Sequence, residues 1–122
     1  SDSHRMYFSG DSGYDTHFSD IGKKYGPFDI CFLENGQYNE MWRAVHMLPE
    51  EAVQAHLDLN GKLMMPIHWG MFNLSIHAWY EPPARASAAA KNKSVQLLTP
   101  KIGQILDIDN LPIFEPWWAL AN

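Results

Sequence analysis

The chain's first candidate for chemistry is the stretch Tyr7-Phe8-Ser9-Gly10-Asp11-Ser12-Gly13-Tyr14. An apolar run stops in a small, turn-forming loop that carries a carboxylate beside a hydroxyl. Such a loop can present a serine nucleophile, a metal-binding aspartate or a plain turn. A nucleophilic Ser12 needs a base and an orienting group. Gly10-Asp11-Ser12-Gly13 resembles the nucleophile loop of chymotrypsin-like proteases, but Tyr14 stands where a further glycine belongs. It also resembles the Gly-Asp-Ser esterases, yet no Asp-x-x-His pair follows Asp11. Asp11 as a metal ligand needs imidazole partners, and the chain has 6 histidines. Carboxylate oxygen with imidazole nitrogen suits zinc, manganese or iron. His68 closes an apolar run and precedes Trp69-Gly70, where a ligand at a strand end belongs, although taken alone it is better read as a satisfied core histidine. His46 stands just before a helix start and could bind an anion, donate a proton or cap the helix. His56 falls mid-helix on a packing or solvated face, and nothing in their surroundings raises His4 or His17. Asp11 and His68 are two ligands, and a catalytic zinc takes three plus water. Spacing leaves the site incomplete.

These residues must be positioned by strands and helices. Met6-Tyr7-Phe8 predicts a short buried strand, and Phe18, Ile21 and Tyr25 recur at helical spacing from Asp15 until Gly26-Pro27. Phe28 to Leu33 is apolar on both faces, as buried parallel strands are, and runs into the loop Glu34 to Tyr38. Pro49-Glu50-Glu51 opens a helix that extends to Leu59 and closes at Asn60-Gly61. Lys62 to Ile67 predicts a third strand ending at His68. An Ala-rich helix is expected over Arg85 to Lys91, then short strands over Ser94 to Leu98 and Gln104 to Asp107. The tail from Leu111, with its Pro and Trp residues, is expected to be irregular. Alternating strands and helices imply a layered α/β fold. Three strands end in polar groups, at Asp11, at the Glu34 to Tyr38 loop and at His68, and open α/β sheets bind ligands at such ends.

Composition bounds the rest. With 122 residues, 46% hydrophobic and 19% charged, the chain is one folded domain's worth. The net charge of −5 argues against general nucleic-acid binding. No apolar run approaches the ~20 residues that cross a bilayer. The single Cys31 excludes an internal disulfide framework and leaves the compartment open, with cytoplasmic or membrane-associated placement expected. The start without Met, directly before a strand, suggests a fragment.

As an ordered set, several motifs carry a resemblance: Ser9-Gly10-Asp11-Ser12-Gly13-Tyr14; Phe18 with Ile21-Gly22-Lys23 and Tyr25-Gly26-Pro27-Phe28-Asp29; Gly36-x-Tyr38; His46 with Pro49-Glu50-Glu51-Ala52; and Ile67-His68-Trp69-Gly70. Over Arg5 to Asp107 the chain resembles the C-terminal half of a metallo-β-lactamase-fold hydrolase. It is similar to the branch of N-acyl-phosphatidylethanolamine-hydrolysing phospholipase D and its bacterial relatives. The resemblance implies an αββα sandwich, with residues 1–110 as its C-terminal half and 111–122 as an apolar tail. It implies that Asp11 bridges two divalent metal ions, that His68 is a terminal ligand and that His46 lines the pocket near the substrate. The ions would be zinc, with manganese or iron as alternatives, ~3.5–4 Å apart, and a metal-bound hydroxide would attack a phosphodiester or lipid-like ester. His77, in His77-Ala78-Trp79-Tyr80-Glu81-Pro82, is implied as a supporting or packing residue.

Two departures from that pattern matter. Leu48 takes the helix-cap position where relatives carry Thr, Asp or Asn, which puts local order in doubt. The His-x-His-x-Asp-His motif, which supplies most of the family's ligands, does not occur in the chain. The isolated piece is therefore expected to be inactive and to bind few or no ions. One sheet face is expected to be apolar and open, to be covered by an N-terminal half or by self-association. Rival readings are a non-catalytic α/β interaction module and a Ser12 esterase. Trp117-Trp118 would either close the core or meet a membrane interface.

Overall fold

A computed structural model describes residues 3–72 and 74–121. It contains strand β1 (Met6–Phe8), helix α1 (His17–Tyr25), β2 (Phe28–Glu34), α2 (Pro49–Asp58), β3 (Gly61–Ile67), α3 (Glu81–Asn92) and β4 (Gln96–Leu97). Short 3-10 turns lie at Glu40–Trp42 and Trp117–Ala121. The strands form one sheet in the order β1-β2-β3-β4, every pair parallel. Each crossover steps to the adjacent strand in the same direction, and right-handed crossovers of this kind place all three helices on one face.

Register explains which side chains that face takes. Tyr7 pairs with Cys31, Cys31 with Met64 and Met64 with Leu97. These residues, with Leu33, meet Phe18 of α1, Ala52, Val53 and Ala55 of α2, and Ala90 of α3 in one core. Ala-rich helix faces let the helices lie close to the sheet. Burial pushes the Cys31 thiol up to about 12, so it is an inert apolar group here. His56 is also core, not surface, with its Nδ1 lacking a partner. The alternate positions, Met6-Ile30-Leu63 and Phe8-Phe32-Met65, form an apolar stripe on the side away from the helices.

Several expectations need correction. β1 is not buried: Met6 is 59% and Phe8 69% exposed, because an edge strand on a sheet with one open face hides only Tyr7. No strand forms over Gln104 to Asp107, which is irregular. Gly103 turns with φ +83° just before it and Ile105 points to solvent. β4 is two residues long, and Pro100, lacking an amide donor, follows it closely. α3 starts four residues earlier than expected, since Pro82 and Pro83 fit a first turn whose amides need no helical partner. The tail is irregular over residues 111–116, as expected, and closes in the 3-10 turn at Trp117–Ala121.

α2 compensates for its missing cap hydroxyl. Leu48 offers no side-chain acceptor, but the Glu51 carboxylate accepts the Leu48 amide at 2.9 Å and pairs with Arg43. Half of a capping box survives, and it fixes the approach to the helix.

Candidate metal centre

The site lies at the carboxyl edge of the sheet. Asp11 stands in the loop after β1, and His68 directly follows β3. His68 adopts φ +65°, a left-handed conformation that costs a branched or ringed residue energy and clusters at functional positions. His46 belongs to the segment leading into α2. Its amide donates to the Trp42 carbonyl at 3.2 Å, and the Trp42 indole donates to the Gln37 carbonyl at 2.7 Å. The 3-10 turn at Glu40–Trp42 thereby hangs His46 from the loop after β2.

Close backbone contacts draw the loops together. A Cβ on Gly36 would lie 1.7 Å from the His68 carbonyl oxygen, so only glycine lets the β2 loop touch the His68 loop. A Cβ on Gly13 would lie 2.3 Å from the Arg43 carbonyl oxygen, and the Gly13 amide donates to Ala44 at 3.2 Å. The Asp11 loop is thus seated on the His46 segment.

The result is a cluster. His68 Nε2 lies 3.5 Å from Asp11 Oδ1, and the His46 and His68 rings stand 5.5 Å apart between centroids. One ligand atom from each of Asp11, His46 and His68 lies within 4.8 Å of the others. Two donors each about 2.0–2.2 Å from one zinc stand at most ~4.4 Å apart. The Asp11–His68 spacing therefore fits a shared ion, and oxygen with imidazole nitrogen is the right donor chemistry. Among the described residues this is the one such cluster, and it offers three candidate ligands.

Glu34 is the residue that spacing did not single out. It ends β2, fully buried, with Oε2 3.3 Å from His46 Nδ1 and Oε1 accepting the Met47 amide at 2.6 Å. Burial pushes its carboxyl up to about 8, against the Met47 hydrogen bond and with some help from Asp11. Burial also holds His46 below its usual value, with Asp11 opposing and His68 adding. Burial thus works against the charged form of each partner at this contact. The available signal was an acidic residue closing the apolar run Ile30 to Leu33.

The cluster's neighbours are held firmly. The buried Gln37 side chain donates to the carbonyls of Phe72 (3.0 Å) and His68 (3.4 Å) and accepts the Leu74 amide (3.2 Å). Gln37, His68, Trp69, Met71, Phe72, Leu74 and Ile102 line a cleft of about 370 Å³ on one side of His68. Tyr38 lies between His77, stacked at 4.1 Å, and the Arg85 guanidinium 4.9 Å from its ring, and donates to Glu81 at 2.5 Å. Trp118 is buried, while Trp117 stacks on Trp69 at 5.1 Å.

Ser12 has an imidazole within reach after all: His17 Nε2 is 3.3 Å from its Oγ. The hydroxyl nevertheless directs its one proton to the Gly13 carbonyl at 2.8 Å, away from any base. His4 lies 3.3 Å from Asp109, remote in sequence from the loops that carry Asp11 and His68.

The β-lactamase superfamily domain matches residues 1–69, more than half of the chain. The chain belongs to that superfamily. Its metallo-β-lactamase fold is seen again in a solved metallo hydrolase of Ignicoccus hospitalis, similar over 78% of this chain and 37% of that one, with a TM-score of 0.57 at 18% identity. An uncharacterized protein of Mycobacterium tuberculosis is 45% identical over 120 residues, 96% of this chain and 32% of that protein. N-acyl-phosphatidylethanolamine-hydrolyzing phospholipase D 1 of Caenorhabditis elegans is 37% identical over 82 residues, 65% of this chain and 23% of that protein. This metallo-β-lactamase-fold chain spans about a third of the mycobacterial relative's length.

Proposed function

We propose that this chain forms the C-terminal part of a dinuclear metal-dependent hydrolase acting on a phosphodiester or lipid-like ester. The observation that carries the reading is the 3.5 Å approach of His68 Nε2 to Asp11 Oδ1, with His46 against them, at the strand ends. Divalent ions there, zinc or alternatively manganese or iron, would lower the pKa of bound water towards 7 and polarise the ester oxygen. Asp11 offers carboxylate oxygens able to bridge two ions, and His68 offers one imidazole nitrogen. His46, beside Asp11 and His68, is placed to hydrogen-bond the substrate's oxygens. The name of the nematode relative and the apolar cleft of Met71, Phe72 and Leu74 beside His68 support an ester with a hydrophobic portion.

The remaining ligands of such a centre come from a complementary half of the fold, and the chain alone is inactive. That half, or failing it a second copy, covers the exposed Met6 and Phe8 of β1. The test is metal content and hydrolysis of bis(4-nitrophenyl) phosphate by a protein carrying both halves. About two ions per molecule are expected, with Asp11→Asn and His68→Ala each lowering metal content and reducing kcat at least about 100-fold. Full activity without metal would overturn the reading. An inert, metal-free protein would favour the interaction module instead, and labelling of Ser12 by a fluorophosphonate would favour the serine esterase.

A further inference from the structure

A carboxyl buried to 0% exposure at the end of a strand is costly, because desolvation of the ionised form is not repaid by a neutral amide. Leu or Met would fill the same space at the end of β2. Yet Glu34 directs both oxygens to one target, the segment 46–47: Oε2 to His46 Nδ1 at 3.3 Å and Oε1 to the Met47 amide at 2.6 Å. Its own amide is anchored by donating to Ser9 Oγ at 3.0 Å, just ahead of the Asp11 loop. One residue therefore links β1, β2 and the approach to α2 behind the cluster.

We propose that Glu34 is a positioning residue for the site: by holding His46 at Nδ1 and the Met47 amide together, it fixes the ring's plane and leaves Nε2 as the nitrogen free to act beside Asp11 and His68. The geometry has a physical consequence. An imidazole held only through its backbone rotates about two side-chain torsions, and either nitrogen can then face the substrate. With Nδ1 engaged by a rigid, buried partner that freedom is gone. The second bond, to the Met47 amide, keeps the carboxyl from turning with the ring. This rests on the reading of Asp11, His46 and His68 as a hydrolytic site, but it makes a claim about His46 that holds without any metal.

Two measurements test it. In the metal-free chain labelled with ¹⁵N-histidine, Glu34→Gln is expected to move the His46 ring nitrogen resonances while those of His56 and His77 stay in place. The shorter Glu34→Asp, which withdraws the oxygen, is expected to move them as well and serves if the Gln variant does not fold. Unchanged His46 resonances in a folded variant would overturn the proposal. In the zinc-loaded protein with both halves, Glu34→Gln is expected to lower kcat about 10–100-fold, and adding it to His46→Ala should cost nothing further. Additive losses would show Glu34 acting independently of His46 and would also overturn it. If the wild-type protein hydrolyses nothing, the hydrolase reading fails while the resonance measurement still decides the role of Glu34.

Discussion

At the scale of single residues, burial decides which groups can carry a charge. His56 shows the energetic side of this. Its burial lowers the imidazole from 6.5 to about 4, so between those values the unfolded chain binds more protons than the folded one. Stability is therefore complete above pH 6.5 and falls as pH drops towards 4. The gap corresponds to about 3 kcal/mol. Urea unfolding at pH 7 and pH 4.5 measures it, and His56→Leu should remove that part of the pH dependence. An identical slope in the variant would place the acid sensitivity elsewhere. Gln37 gives a second prediction. Its carboxamide joins the loop after β2 to the chain after His68 through three hydrogen bonds. Gln37→Ala leaves the Leu74 amide without this acceptor and should cost about 1–3 kcal/mol in denaturant unfolding. A loss below about 0.5 kcal/mol would mean that water replaces the amide fully.

The elements set where those residues meet. Each parallel strand of this sheet ends on the same edge, so Asp11, Glu34 and His68 are neighbours for the same reason that β1, β2 and β3 are. The close approach at Gly36 converts that neighbourhood into a fixed distance. Gly36→Ala would drive a methyl into the His68 carbonyl oxygen and displace the loop that carries the ring. The expected result is a folded protein whose affinity for Co²⁺ at Asp11 and His68 falls at least about tenfold, measured by competition with a chelating dye. Unaltered affinity would show that the His68 loop adapts without moving its ring. The helices contribute by their ends rather than their faces. α2 begins next to His46, and the start of α3 meets Tyr38 through Glu81 and Arg85.

For the molecule as a whole, all three helices cover one face of the sheet and leave the other apolar. Phe8→Lys places a charge on that open stripe without touching the helix-side core. Sedimentation equilibrium at about 100 μM is expected to show self-association of the wild-type chain that Phe8→Lys weakens; a strictly monomeric wild type would count against an adhesive face. The sequence by itself determined the alternation of strands and helices, the places where polar residues end apolar strands, and the motif order that marks the family. It could do so because burial period, proline and glycine act locally. It could not show that β1 lies at the edge with Met6 and Phe8 exposed, since an apolar strand reads alike whether one face or both are covered. Nor could it pair Glu34 with His46. Residues 12 apart, one closing a strand and one preceding a helix, become partners only when the loop between them folds back on the 3-10 turn at Glu40–Trp42. Local pattern could nominate the carboxylates and imidazoles, but only the parallel stacking of strand ends decided which of them share a site.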